Sequence, residues 1–254
     1  MHTLSDINFY DFYYNGHFLS EYGGYIGSTD GGLKRYSLLP SRSYVTDRPL
    51  GLDGKYIFDS YLEPRTFSVP VVFEELDDAG IRQISGWLNT SRDSRFYFAD
   101  DSLYINAVLD TKASDFDSIS GIDGECELNF IANDPYYYAL IPSSYTFENT
   151  KVGQQLPMVN AGNIDCYPKI MVDCGKAFEI SVLNAKHEVI QTFSVDSGKR
   201  NIELDSKYCT CISGDLNLFD TTDGEFLTLP TGVFYLAINQ EVSKVKVDFV
   251  PRYI

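Results

Sequence analysis

The residues best suited to chemistry are five cysteines, Cys126, Cys166, Cys174, Cys209 and Cys211. Cys209 and Cys211 form a C-x-C pair, and on a strand their side chains would share one face. A zinc site usually needs C-x₂₋₄-C and a second pair of Cys or His. His187 is the only histidine in this half of the chain, so the ligand set is incomplete. We therefore expect free thiols in the core, with no metal and no cofactor.

No catalytic motif stands out among the remaining polar residues. A serine or cysteine nucleophile needs a base beside it, and the chain has only three histidines, His2, His17 and His187. The G-x-S-x-G turn of the α/β-hydrolases is absent from the sequence. Among 36 acidic residues a pair of carboxylates always exists, so that count does not identify a glycosidase. The sequence predicts that the protein is not an enzyme.

Two stretches resemble ligand-binding loops without meeting their requirements. The glycine-rich segment from Gly23 to Gly32 lacks both phosphate-loop spacings and is followed by no predicted helix. Asp115, Asp117 and Asp123 lack the central glycine and terminal glutamate of an EF-hand loop. Both stretches are predicted to be loops between strands.

The charge of the chain argues against nucleic acid as a direct ligand. The net charge is −16, whereas a protein that grips phosphates is basic. No stretch approaches the ~20 apolar residues of a membrane helix. The first residues have no basic and apolar segments of a signal peptide, so we expect synthesis and assembly in the cytoplasm.

Alternation of apolar residues predicts mostly strands. Phe67, Val69, Val71 and Phe73 fall on alternate positions, and Pro70 on the opposite face indicates an edge strand or a bulge. The segment that follows changes to a helical period, which predicts one short helix.

That helix is expected over residues 77–89. Asp77 can accept hydrogen bonds from its first free N–H groups. Ile81, Ile84, Trp87 and Leu88 then lie on one face, which must be buried on the neighbouring strands.

Turn signals separate the predicted strands. Asn15-Gly16 is a strong hairpin signal after an aromatic segment, and Asp100-Asp101 marks a second hairpin. Leu39 to Arg48 has few periodic apolar residues and is interpreted as a long connection. Residues 141–168 are interpreted as one strand and an interdomain connection.

From Lys169 onward the sequence predicts a second domain built as a β-sandwich. Short apolar segments recur with glycines at the breaks between them. The nine predicted strands include the segments KIMVD, EFLTL and VFYLAIN. The fold class predicted for the whole chain is all-β with one short helix.

Several segments, in order, resemble the distal tail protein family of long-tailed bacteriophages. They are FYYNG, GLDGKY, GWLNT, FYFADDSLYINAVL and NDPYYYA. The signature residues within them are Gly51, Asp53, Gly54, Trp87, Leu88, Asp100, Asp134 and Pro135. The segment from Arg200 to Gly232 is similar to the second domain of the same family, a galectin-like or carbohydrate-module-like sandwich.

The resemblance implies a structural protein of the virion tail tip, assembled in the host bacterial cytoplasm. Family members form a hexameric ring, or baseplate hub, between the tail tube and a tail-associated fibre or spike protein, and DNA passes through the ring on ejection. It implies a ring-forming domain over residues 1–140 and the sandwich over residues 141–254. Arg35, Arg42 and Arg48 are candidate contacts between subunits, and solvated surface arginines are the alternative.

A carbohydrate-binding module that recognises host cell-wall glycans is the alternative function. It needs an exposed aromatic platform, for which Tyr167, Tyr208, Phe219 and Tyr235 are candidates. The alternative is that these rings lie in the sandwich core or at a domain interface. A sandwich fold does not by itself imply sugar binding.

Overall fold

A computed structural model describes residues 10–27, 39–51, 53–74, 76–111, 116–118 and 124–254. The chain divides into two compact units, Met1–Tyr137 with Ile254, and Tyr138–Tyr253. Every strand pair with an assigned register is antiparallel, and one α-helix is present in the described part of the chain. The fold is all-β with one short helix, as the sequence predicts.

The first unit consists of a large sheet, one helix and a separate hairpin. Its elements are β1 (Phe12–Tyr14), β2 (His17–Phe18), β3 (Gly24–Ile26), β4 (Arg42–Asp47), β5 (Tyr56–Leu62), β6 (Arg65–Phe73), α1 (Asp78–Leu88), β7 (Ser94–Phe98), β8 (Leu103–Leu109), β9 (Phe116–Ser118) and β10 (Gly124–Ala132). The sheet has the strand order β2-β1-β7-β8-β10-β6-β3, with β9 on β10. β4 and β5 form a two-stranded sheet of their own.

The predicted helix forms over Asp78–Leu88, and Asp77 is its N-cap. The Asp77 carboxylate accepts a hydrogen bond from the Gly80 amide at 2.7 Å, which satisfies one free donor of the first turn. Ile84, Trp87 and Leu88 are buried against the sheet, whereas Ile81 is partly exposed. The apolar stripe is therefore confirmed except at its first residue.

The alternation predicted for β6 is confirmed at Val69, Val71 and Phe73, which are buried. Phe67 is only partly buried, and Val72 of the opposite face is buried as well. β6 is not a free edge along its whole length, because β3 pairs with its last three residues. Pro70 lies just past that pairing, and its carbonyl accepts a hydrogen bond from the Gly27 amide. Proline has no N–H to donate on that side of β6, and the β3 ladder ends there.

Two turns have the conformations that their residues predict. Asn15 and Gly16 both have positive φ, 44° and 92°, as a tight two-residue hairpin between β1 and β2 requires. In the turn after β7, Asp101 makes the hydrogen bonds: its carboxylate accepts from the Leu103 amide, and its own amide donates to Phe98.

The interpretation of Leu39 to Arg48 as a connection was wrong, because β4 occupies most of it. Its side chains are exposed on both faces, so they have no alternating pattern from which a strand could be predicted. The loops predicted at Gly23 to Gly32 and Asp115 to Asp123 each contain a short strand, β3 and β9. Arg35 and the acidic residues at 115 and 123 lie outside the described residues.

The second unit is a sandwich of two antiparallel sheets. β11 (Tyr137–Ala139) lies at the boundary between the units. The strands that follow are β12 (Ser143–Thr150), β13 (Leu156–Asn160), β14 (Lys169–Asp173), β15 (Phe178–Leu183), β16 (Val189–Val195), β17 (Ile202–Asp205), β18 (Thr210–Ser213), β19 (Leu216–Asn217), β20 (Thr222–Gly224), β21 (Gly232–Ile238), β22 (Val242–Phe249) and β23 (Arg252–Tyr253). One sheet is β12-β22-β14-β17-β18-β19 and the other is β13-β21-β15-β16-β20.

Alternate residues of both sheets meet in one core, which is the reason why these short segments form strands. Two differences from the sequence prediction stand out. The stretch at 141–168 contributes two strands, β12 and β13, one to each sheet. EFLTL (Glu225–Leu229) is not a strand, although Leu227 and Leu229 are buried; the pairing is made by β20 just before it.

In the described part of the chain, no helix has the length and apolar character needed to cross a membrane.

Candidate assembly surfaces

The hairpin of β4 and β5 exposes large apolar side chains on both faces. They are Tyr44, Val45, Tyr56, Ile57, Phe58 and Tyr61. None of them belongs to either hydrophobic core. Two strands without a core or a covering layer are marginally stable alone. An exposed apolar patch of this kind is typical of an interaction surface.

The turn of this hairpin holds three of the signature residues. Gly51 and Gly54 have φ of 83° and 94°, a region that residues with a Cβ rarely adopt. An added Cβ would meet no atom within 4 Å at either position. The glycines are therefore required by backbone conformation and not by close packing.

Arg42 and Arg48 lie at opposite ends of β4 and are bonded within the hairpin. Arg42 donates a hydrogen bond to the Ser60 hydroxyl at 2.9 Å. Arg48 is 3.6 Å from the Asp53 carboxylate, and both side chains are exposed. Exposed ion pairs of this kind contribute little to stability. Their expected role as contacts between subunits stays a prediction, and Arg35 lies outside the described residues.

Trp87 links the end of α1 to the hairpin of β1 and β2 and to Tyr22. Its side chain is 4% exposed, and its indole N–H donates a hydrogen bond to the Tyr14 carbonyl at 2.7 Å. The Asn15 amide donates to the Trp87 carbonyl at 2.8 Å, so the tight turn and the end of the helix are bonded in both directions. The indole also stacks on Tyr22, with ring centroids 4.7 Å apart. The neighbouring Leu88 is buried in the same core.

The signature residue Pro135 binds a buried arginine that sequence reasoning missed. The Pro135 carbonyl accepts a hydrogen bond from Arg65 Nε at 3.3 Å, and the Arg65 guanidinium lies over the Tyr137 ring. The Asp134 carboxylate accepts from the Tyr136 amide. Arg65 is only 3% exposed. No local pattern could have linked it to a motif 70 residues away.

The large sheet has a second face, opposite to α1. It carries Ser68 and Pro70 of β6, and Glu125, Glu127 and Asn129 of β10. The Ser68 hydroxyl donates to the Asn129 side chain at 2.6 Å. On the same face Arg95 of β7 lies over the Tyr104 ring. The register also places Val72, Tyr97 and Val108 on this face, so it combines apolar, polar and acidic residues with few basic ones.

The cysteines do not form a metal site among the described residues. All five are free, and burial raises the pKa of Cys126 and Cys166 to about 12 and that of Cys211 to about 11. The expectation that Cys209 and Cys211 share a strand face was wrong. Cys209 is exposed in the turn before β18, with φ of 52°, whereas Cys211 is buried.

The aromatic residues proposed as a sugar platform are dispersed over the sandwich. Tyr208 lies in the turn between β17 and β18 beside Lys207, and Tyr167 lies under Arg252. Phe219 stacks on Phe226, and Tyr235 lies on β21. Three of the four rings, those of Tyr167, Tyr208 and Phe219, are substantially exposed. Each of the three contacts a different neighbouring side chain.

Comparisons with known proteins found one matching family model and several similar solved structures. The family model of the phage tail protein N-terminal domain matches residues 7–134, about half of the chain. The crystal structure of Dit of phage SPP1 superposes with a TM-score of 0.72 at 17% identity, over 96% of this chain and 99% of that one. A structure of the phage p2 baseplate in its activated, calcium-bound conformation gives a TM-score of 0.49 at 8% identity, over 94% and 97%.

No curated protein matches the chain. The matched family model spans β1 to β10 and α1, which are the elements that carry the exposed hairpin, the contacts of Trp87 and the sheet face opposite to α1. The chain belongs to the phage tail protein N-terminal domain family, and it is a structural tail protein with the fold of the distal tail, or hub, proteins of long-tailed bacteriophages.

Proposed function

We propose that six copies of the chain form a ring at the tip of a phage tail. The ring joins the tail tube to the adsorption apparatus, carries a tail-associated fibre or spike protein, and lets DNA pass on ejection. The similarity to SPP1 Dit supports this proposal, because that protein is described as a paradigm of the hub adsorption apparatus and is matched over almost its whole length. The protein is then located at the virion tail tip and assembled in the host cytoplasm.

The observation that carries the proposal is the exposed hairpin of β4 and β5. Phe58 is 70% exposed and Ile57 is 62% exposed, although such side chains favour burial. A second copy of the chain can cover them, and a contact between two different surfaces closes into a ring when the rotation permits. Residues 1–140 would supply these contacts, with Arg35, Arg42 and Arg48 reaching acidic groups of the neighbour.

The face of the large sheet opposite to α1 is our candidate for the lining of the bore. Its serine, asparagine and glutamate side chains offer DNA phosphates little attraction. Basic side chains would instead bind phosphates and release counterions, which would hold the genome in the ring. A face with few basic side chains suits a channel that DNA crosses without being retained.

The predicted C-terminal domain, residues 141–254, is proposed to be a galectin-like sandwich that other baseplate proteins bind. A catalytic role has no support from the described residues, since neither of their histidines is bonded to a serine or cysteine: His17 bonds to Glu21 and His187 to Gln155. We propose a purely structural role for both units, without a cofactor.

The test is the mass of the purified chain in solution. Six copies of the 28.7 kDa chain give about 172 kDa by light scattering, and electron microscopy should show rings. A chain that stays monomeric at high concentration and physiological salt would contradict the proposal. Such a result would favour an isolated binding module, which a glycan array would then examine.

A further inference from the structure

The hairpin contains one side chain that is displaced from regular pairing. In the pairing of β4 with β5, Val45 lies opposite Asp59 and Thr46 lies opposite Ile57, which leaves Phe58 as the extra residue of a β-bulge. A bulge redirects the side chain at its position and is retained for a purpose. Here it directs Phe58 into solvent, and this ring is the most exposed apolar side chain of β4 and β5. Phe58 therefore has the form of an anchor for another surface.

The same unit has an apolar pocket without an occupant from the described residues. It lies between α1 and the sheet and has a volume of about 340 Å³. The lining side chains are apolar apart from Ser85, Asn89 and Thr111 at its mouth and the Cys126 thiol; the apolar ones are Phe73, Leu76, Ile81, Ile84, Leu88, Leu109 and Leu128. A cavity of about 150 Å³ with this kind of lining takes up a benzene ring.

We infer that Phe58 of one copy inserts into the α1 pocket of the next copy in the ring. This inference rests on the ring proposed above and names its central contact. Each copy offers one anchor and one pocket at different places on its surface. Phe58 does not line its own pocket. Six identical contacts of this kind close a ring without leaving an anchor or a pocket unused.

The charge of the hairpin fits the same occupant. Residues 42–62 carry three basic side chains, Arg42, Arg48 and Lys55, and three acidic ones. Residues 1–137 as a whole carry 22 acidic and 10 basic residues, a net charge of −12. The neutral hairpin is thus a part of the unit that can approach an acidic neighbour without strong repulsion. Asp77 and Asp78 at the start of α1 are acidic groups near the pocket that its basic residues can meet.

Two single variants of the full chain test each half of the contact. Phe58→Ala removes the anchor, and Ser85→Trp fills the pocket mouth from an exposed helix position. Each should weaken assembly at least about 30-fold, since a central aromatic anchor dominates an interface. Tyr61→Ala on the same hairpin and Gln83→Trp on the same helix are the matched controls, and both should assemble almost normally. Circular dichroism checks that every variant is folded.

A mixture of the two variants gives the sharpest result. The Ser85→Trp chain still has an anchor and the Phe58→Ala chain still has a pocket, so an equal mixture should form dimers of about 57 kDa, twice the chain mass, and nothing larger. Rings formed by either variant alone would overturn the inference and leave the ring proposal standing. A monomeric wild-type chain would overturn both.

A cross-link tests the contact with the anchor in place. Ile57→Cys beside Phe58 and Asn89→Cys at the pocket, combined in a Cys209→Ser background, should give a ladder of covalently linked copies with a short bismaleimide. Chains that carry only one of the two new cysteines should give no ladder. A product linked only within one chain, or a ladder that either single variant also gives, would contradict the inference.

Discussion

At the scale of single residues, Trp87 shows how one side chain joins three elements. Its ring packs on Phe12 of β1 and on Tyr22, and its indole N–H bonds to the backbone of β1. Each contact uses a different property of the residue: its area, its flat ring or its single donor. A substitution can therefore separate these contributions.

We expect Trp87→Ala to lower the free energy of unfolding by about 3–5 kcal/mol, because it leaves a cavity in the core. Trp87→Phe should cost less, because it keeps a ring and loses mainly the hydrogen bond to Tyr14. Chemical denaturation of the monomeric state measures both. Equal stability of the alanine variant and the wild type would show that Trp87 is not the anchor of the helix.

Some of the contacts of Trp87 could be predicted from the sequence, and the others could not. The helical spacing of Ile84, Trp87 and Leu88 predicted their burial, and Asn15-Gly16 predicted its turn. Neither pattern shows that the turn and the helix are bonded to each other, because their residues are 72 positions apart. Arg65 was missed for the same reason, since a buried arginine depends on partners that only the fold brings together.

Thiol reactivity should follow burial. Thiolate is the reactive form, and a pKa near 12 leaves about one thiolate in ten thousand at pH 8. With a pKa of about 12, Cys126 and Cys166 should react slowly with a thiol reagent in the folded protein, and Cys211, at about 11, should react slowly too. Exposed Cys209 should react first. The rates of the buried groups should rise with pH, and denatured, unreduced protein should show five free thiols; fewer would indicate a disulfide.

At the scale of elements, the hairpin of β4 and β5 explains why strand prediction failed at one place and succeeded elsewhere. β6 and the sandwich strands have one buried and one exposed face, which produces alternation in the sequence. β4 and β5 are exposed on both faces, so burial imposes no period on them. A strand that is exposed on both faces cannot be predicted from the alternation that a single core produces.

The turn glycines offer a way to test the hairpin separately from the cores. Gly51→Ala with Gly54→Ala forces two residues with a Cβ into positive φ, at about 1–2 kcal/mol each. We expect assembly to fall sharply while the thermal midpoint of the monomer changes little, because the hairpin belongs to no core.

Gly224→Ala is the matched control for those variants. Its Cβ would lie 2.7 Å from the Thr192 carbonyl oxygen in the sandwich, so it should destabilise the monomer instead. Loss of monomer stability in the Gly51 and Gly54 variant would show that the hairpin supports the fold of its own chain.

At the scale of the whole molecule, the two units should be separable before β12 begins at Ser143. Each has its own hydrophobic core, as a domain that can fold alone requires. Residues 1–140 alone should form rings in electron micrographs, whereas residues 141–254 should stay monomeric. Rings formed by the second fragment alone would reverse the proposed assignment of the assembly contacts.

The distribution of charge leads to a prediction about salt and DNA. The first unit has a net charge of −12, whereas residues 138–254 have 14 acidic and 10 basic residues, a net charge of −4. In a hexamer, six chains of −16 give −96, and most of that charge lies in the units proposed to form the ring. Salt should favour assembly by screening this repulsion, since the Debye length falls from about 30 Å at 0.01 M to about 8 Å at physiological ionic strength.

The same charge should keep the ring from holding DNA. We expect the ring to show no retention of double-stranded DNA at low salt, where phosphate contacts are strongest. Changing Glu125 and Glu127 to lysine turns the proposed bore face from acidic to basic, and this variant should bind DNA in a salt-dependent manner. The matched control, Glu188→Lys with Glu225→Lys in the sandwich, makes the same change of charge away from that face and should bind more weakly. If both double variants bind DNA equally, overall charge governs retention and the sheet face opposite to α1 is not the lining of the bore.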